Sequence, residues 1–277
     1  MTLPHRVALG TKHGKSAAIA PPLGRIGIAV SVPEGLDTDK FGTFTGEVAR
    51  LGSMLDAARA KARAACKLTG LDVGIGSEGS YGPHPSIPIL PLGREVLLLW
   101  DRTTGREIVE QVVDDQPRLA SRYVADVDDL DDLIAQTDFP RTNLVVSPAG
   151  TTDYVKGLKT LPELVAAVGQ AIAQSEGRRA LVQTDMRANH NPRRMHTIAR
   201  AAEALAERLS RNCPRCGSHG WGLVEVERGL PCSACGMPTP LVGNEVHGCT
   251  ACRHSERAAR GDGLAAADPR HCPQCNP

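Results

Sequence analysis

The stretch VGIGSEGSYGPHP, residues 73–85, opens as an apolar segment and runs into polar residues punctuated by glycine. Val73–Ile75 reads as a strand, and Gly76–Pro85 reads as a loop at its end. Upstream, Leu51–Leu68 has the spacing of a helix. Downstream, Val96–Trp100 and Ile108–Val113 read as strands, and the polar segment Trp100–Gly105 between them reads as a hairpin turn. A hairpin next to strand–helix–strand units implies a mixed sheet. Arg6–Leu9, Arg25–Val32, Leu144–Val146 and Ala180–Gln183 add strands, and Leu130–Gln136, Leu161–Ser175 and Met195–Ser210 add helices. The pattern predicts an α/β class, a mixed sheet with flanking helices, joined to a small C-terminal module.

A chain of 277 residues exceeds one ordinary domain, and the boundary is expected after the last helix, giving 1–208 and 209–277. Aromatic residues make up 3% of the chain, so Ala, Leu and Val must fill the core. The N-terminal segment lacks an apolar run after its basic residues. No stretch approaches the length needed to span a bilayer, and a soluble cytoplasmic protein is expected.

Eight of the nine cysteines form four C-x-x-C pairs: Cys213/Cys216, Cys232/Cys235, Cys249/Cys252 and Cys272/Cys275. Each pair can aim two thiolates at one ion, and two pairs close a tetrahedral site, so two structural zinc ions in a zinc-ribbon-like module are expected. Fifteen residues separate the first pair from the second and nineteen the third from the fourth, which favours sequential pairing. A nested arrangement (gaps of thirteen and fifty-five) and a crossed one (thirty-two and thirty-six) stay open. Gly217 and Gly236 follow their pairs, where positive φ turns backbone N–H groups toward sulfur. His219, His247, His254 and His271 lie nearby and are read as surface or supporting residues. Cys66, in an Ala-rich helix, is read as a buried inert thiol.

Three polar loops are expected at strand ends. In Gly10–Ser16, glycine and lysine before a helix suit a phosphate, with Thr11, His13 and Lys15 as its ligands. In Gly76–Pro85, two glycines flank Glu78, while Ser77 and His84 add polar contacts. In Thr184–Met195, Arg187 and Arg193 suit an anion, and Asp185 either orients a guanidinium or binds a metal. Asn191-Pro192 also reads as a helix start. Glu47, near the start of a helix, supplies a further acid.

The motifs TKHGK (11–15), FGTFTGE (41–47), SEGSYGPHP (77–85), TDMRA (184–188) and the ending CPQCNP resemble a bacterial family without an assigned activity. A fainter resemblance is to the inosine triphosphatase and Maf-like nucleoside triphosphate pyrophosphatases. Their T-x-N-x-x-K loop, T-F-x-E-N-A helix start and acidic turn occur in the same order. This likeness implies phosphate binding by Lys15 and magnesium or water activation by Glu47 and Glu78, with Asp56 replacing Glu47 if the helix register is kept. Here the first loop is one residue shorter, and His13 replaces the asparagine.

The two function classes left open are a magnesium-dependent phosphohydrolase or pyrophosphatase acting on a nucleotide or phosphorylated metabolite, with Glu47, Glu78 and Asp185 as catalytic acids, and a non-catalytic sensor of an anionic ligand whose zinc module docks a protein. Nucleic acid is not an expected partner. Residues 209–277 hold seven Arg, no Lys and six acids, and eight zinc-bound thiolates with two zinc ions bring the tail to about −3.

Overall fold

The computed structural model describes residues 3–50 and 52–277, so the expected helix start at Leu51 lies outside the described residues. The chain divides into two compact units, Pro4–Leu205 and Ala206–Pro277, with the division inside a helix.

The first unit has two sheets, where the hydrophobic pattern predicted one. The first sheet contains β1 (Arg6–Gly10), β2 (Ala29–Ser31), β3 (Val73–Pro83), β4 (Pro91–Asp101) and β5 (Glu107–Asp114), in the order β2-β1-β3-β4-β5. β1 runs parallel to β2 and β3, while β4 and β5 are antiparallel, so this sheet is mixed. The β4–β5 turn is the expected hairpin. Gly105 takes a φ of +69°, and the Asp101 carboxylate accepts from the backbone and hydroxyls of Thr103 and Thr104.

The strand expected to end at Ile75 continues to Pro83. Ser77 pairs with Leu97 and Glu78 with Val96, so the SEGSYG segment lies in the ladder. The β3 glycines at 74 and 76 serve close packing by α2 (Met54–Thr69), and Gly79 leaves room for the Glu95 and Arg194 side chains, so none of the three marks a turn. A Cβ on Gly76 would fall inside the contact shell of Ala58 O, and one on Gly74 would lie 2.5 Å from Ala62 O. The α2 face laid on the sheet is correspondingly small: Ala57, Ala58, Ala62 and Ala65 are fully buried. This Ala-on-Gly contact brings two backbones close together and needs few aromatics. Ser53 and Asp56 form a capping box at the start of α2, and Gly70 ends the helix in the left-handed region.

The second sheet is wholly antiparallel, in the order β6-β9-β7-β8: β6 (Ser121–Val124), β9 (Ala180–Thr184), β7 (Leu144–Pro148) and β8 (Val155–Leu158). α3 (Leu130–Gln136) and α4 (Leu161–Gln174) cover it, burying Leu130, Leu133, Leu164 and Val168 against Leu144, Val146 and Val182. At roughly 1.5–3 kcal/mol per fully buried aliphatic side chain, this cluster is the main stabilising feature of that half. α1 (Ser16–Arg25) follows β1, and α5 (Pro192–Ser210) follows β9. Asn191 caps α5, accepting from Arg194 N at 3.0 Å, with Pro192 at the first helical position.

The second unit holds a three-stranded antiparallel meander of β10 (Gly222–Arg228), β11 (Val242–Gly248) and β12 (Ser255–Ala259). Among the described residues, no helix is long and apolar enough to cross a membrane.

Candidate functional site

The cleft of the first unit, about 780 Å³, is assembled where β1 and β9 end and along β3 from Ser77 to Pro83. Gly10 passes directly under the α2 backbone, and the following loop is pinned to the Asp37–Asp39 segment. Lys12 Nζ reaches Asp37 at 3.0 Å and Asp39 at 2.6 Å, and His13 Nε2 lies 3.1 Å from Asp39 Oδ1. Gly14, with φ +66°, then turns the chain into α1. Lys15 therefore points inward. It is 6% exposed, donates to Ser77 Oγ at 3.0 Å, and forms no ion pair among the described residues. Burial, reinforced by the Arg194 guanidinium, pushes its amine down to about 7. Thr11 Oγ1, also in the wall, is buried with no hydrogen-bond partner.

Glu47, Glu78, Asp185, Thr11, His13, Lys15, Ser77 and Arg187 all line this one cleft. Two expected ligands do not. His84 closes its own turn, its Nδ1 accepting from Ser86 N and Ile87 N at 3.1 Å, because β3 runs on to Pro83 and carries His84 past the cleft. Arg193 lies on the solvent side of α5 and pairs with Asp138. Asp56 is committed to the α2 cap and to Arg59 at 2.7 Å.

Each candidate acid already has a cation. Glu78 is clamped by Lys61 and by Arg50 at 3.2 Å, Glu47 is paired with Lys156, and Asp185 takes Arg187 bidentately, with the Arg187 NH2 group 2.6 Å from Oδ2. The Lys156 ammonium holds Glu47 below the usual carboxylate range. Among the described residues, no three carboxylate or imidazole ligands converge on a common point in the cleft. Magnesium needs oxygen ligands with charge to spare, and these residues do not fit that requirement.

Arg194, Glu95 and Lys61 are unforeseen members of the site. Arg194 is fully buried, donates to Glu95 at 2.6 Å and to Met186 O, and lies 4.1 Å from the centre of the Phe44 ring. A signal existed, since Arg194 continues the buried α5 stripe of Ile198, Ala201, Ala202 and Leu205, whereas Arg193 does not. Lys61 likewise sits on the alanine stripe of α2.

In the second unit, two four-cysteine clusters form: Cys213, Cys216, Cys249 and Cys252, and Cys232, Cys235, Cys272 and Cys275. This overturns sequential pairing in favour of the crossed arrangement. The meander supplies the reason. Successive strands reverse direction, so successive C-x-x-C turns fall at alternate ends of the sheet. Register confirms it, since Gly222 pairs with Gly248 beside the first and third turns, and Arg228 pairs with Val242 beside the second. Sulfur–sulfur separations are 3.8 and 3.7 Å in one cluster and 3.9 and 3.6 Å in the other. A tetrahedral ion with Zn–S near 2.3 Å sets its sulfurs about 3.8 Å apart, so each cluster can hold a structural zinc. Ala234 N and Ala251 N donate to sulfur, and Gly217 and Gly236 take φ near +70°. Arg253 occupies the equivalent turn position at φ +59° without being glycine. His219, His247 and His254 bond to Leu209 O, Glu245 and Glu256, and none joins a cluster.

Cys66 packs against Ala8, Leu36 and Ala65, and burial pushes its thiol up to about 11.

Residues 61–277 match a family model described as "Domain of unknown function (DUF6671)". No curated protein and no solved structure matches the chain.

Proposed function

The chain belongs to the DUF6671 family, and we propose that its first unit binds a phosphorylated small molecule of nucleotide size in the cleft headed by Lys15. The observation that carries this reading is Lys15 itself, a buried amine without a counter-ion among the described residues at the start of α1, in the same cleft as the unpartnered Thr11 hydroxyl. Taking an ammonium out of water is unfavourable unless an anion compensates it, and the described residues supply none at bonding distance. A phosphate oxygen supplies the missing charge, and the helix start and Thr11 supply donors.

The rest of the cleft suits the same ligand. Six cations line it (Lys12, Lys15, Lys61, Lys156, Arg187 and Arg194) against four acids (Asp39, Glu47, Glu78 and Asp185). Its volume is within the range of small-molecule sites. Phe44 and Tyr81, 6.4 Å apart, give the wall an aromatic side for an apolar group. The ion pairs at Glu47, Glu78 and Asp185 support a positioning role for these acids. In this reading the zinc unit is a structural module.

The test is a thermal-shift and hydrolysis screen of nucleotides and phosphorylated metabolites on the full chain. Stabilisation by phosphorylated compounds and not by their dephosphorylated counterparts is expected. Equal shifts from both sets contradict the reading.

A further inference from the structure

Within the cleft, the contact between Lys15 and Ser77 gives the phosphate-binding amine a second use. Ser77 and Lys15 are 2% and 6% exposed, they lie 3.0 Å apart, and both line the cavity. A neutral hydroxyl offsets little of the desolvation of a charged amine, so the amine gives up its proton readily and, once neutral, can take the hydroxyl proton. Resting on the phosphate-binding reading above, we propose that Ser77 and Lys15 form a nucleophile–base dyad that transfers the ligand's phosphoryl group through a covalent phosphoserine at residue 77.

The surroundings favour each role. Ser77 is held rigidly in the β3 ladder opposite Leu97. The charged groups acting on Lys15 come from every neighbouring element: Lys61 on α2, Glu78 on β3, Glu95 on β4, Arg194 on α5 and His13 on its own loop. Both acids favour a proton on the amine but are engaged elsewhere, Glu78 by Lys61 and Arg50 and Glu95 by Arg194, and burial with the nearby cations outweighs them. Burial and the nearby cations push the amine down to about 7, where it can accept a proton. Gly10 and Gly76 are register partners on parallel β1 and β3, so Thr11, just past the end of β1, and Ser77, still within β3, follow them side by side. The unpartnered Thr11 hydroxyl is thereby available to a phosphoryl oxygen.

The steps balance without a metal or an outside reagent other than water. Ser77 Oγ attacks phosphorus as its proton passes to Lys15 Nζ, and the bond from phosphorus to the leaving oxygen breaks. That oxygen departs on the far side of phosphorus and takes a proton from solvent water, while Lys15 keeps the serine's proton. Water, losing one proton to solvent, then attacks the phosphoserine from that far side, and the bond from phosphorus to Oγ breaks. Ser77 regains the proton from Nζ, and inorganic phosphate leaves. The substrate class is a phosphoanhydride or phosphoester with a good leaving oxygen.

The experiment treats the full chain with a small fluorophosphonate, from which fluoride leaves on attack, followed by intact mass and peptide mapping. One adduct at Ser77 is expected, forming faster as pH rises through about 7. Ser77→Ala should give none. Lys15→Arg and Lys15→Gln, checked for native circular dichroism, should react at least ~100-fold more slowly. No adduct on the wild type, an adduct on another residue, or full reactivity in both Lys15 variants overturns the dyad. Pyrophosphate binding by the same wild-type sample separates the two readings: intact binding without a Ser77 adduct overturns only the dyad, whereas absent binding overturns the phosphate site.

Discussion

Lys15 Nζ lies 3.0 Å from Ser77 Oγ, while the carboxylates of Glu78 and Glu95, whose charges act on it, are bonded to other cations. The cleft thus keeps one buried amine uncompensated, and the uncompensated amine makes stability depend on pH.

For Lys15 the folded value, about 7, is below the ordinary lysine value of 10.5. The unfolded chain binds more protons between those limits, so the wild type gains stability as pH rises through that window. Below it, the charged amine carries its whole burial penalty, on the order of 5 kcal/mol. Lys15→Met should therefore be the more stable protein at pH 6.5, with the gap closing toward pH 10. Urea unfolding in a Trp221→Phe background, where Trp100 reports on the first unit, measures this. A gap independent of pH contradicts it.

Glu78 neutralises Lys61 and Arg50 at once, and both Glu78 and Lys61 are buried. Glu78→Gln should destabilise the first unit by about 3–5 kcal/mol, since one buried cation loses its partner. A variant unfolding within about 1 kcal/mol of wild type would show that the clamp is not structural.

Gly76 and Gly82 occupy the same strand but differ in what they face. A methyl at Gly76 collides with the α2 backbone, whereas Gly82 has open space. Gly76→Ala should cost about 3 kcal/mol or more by overpacking, and Gly82→Ala should stay within about 1 kcal/mol of wild type. Denaturant midpoints compare the two, and equal effects would remove the close-approach account of β3.

The crossed cysteine pairing has a discriminating double substitution. Cys213→Ser with Cys249→Ser disables a single cluster and should leave about one zinc per chain by elemental analysis. Cys213→Ser with Cys235→Ser disables both and should leave almost none. The reverse pattern would restore sequential pairing.

How far these features were legible in the sequence differs by physical cause. Local signals read well: the α3 span Leu130–Gln136, the hairpin turn at Gly105 and the proline start of α5 all depend on nearby residues. The SEGSYG strand read as a loop because glycine punctuates turns and also permits close packing, and only distant partners, Glu95 and Arg194 against Gly79, decide which. β6 and β8, of four residues each, escaped notice: β6 pairs with the distant β9, and β8, although it follows its partner β7 directly, is short, holds Lys156 and Gly157 and pairs across a register shift. Lys61 and Arg194 were visible as charges on apolar helix stripes, but their partners Glu78 and Glu95 come from distant segments. The cysteine pairs announced two zinc sites, yet their combination follows from strand direction, which spacing does not encode.

The most direct test of the phosphate-binding cleft is calorimetric titration of the full chain with inorganic pyrophosphate at pH 6.5, for wild type and Lys15→Met. Saturable binding to the wild type is expected, weakened roughly tenfold or more in the variant, about 1.4 kcal/mol for the lost charge. No saturable binding by the wild type, or equal affinity in the two proteins, would contradict it.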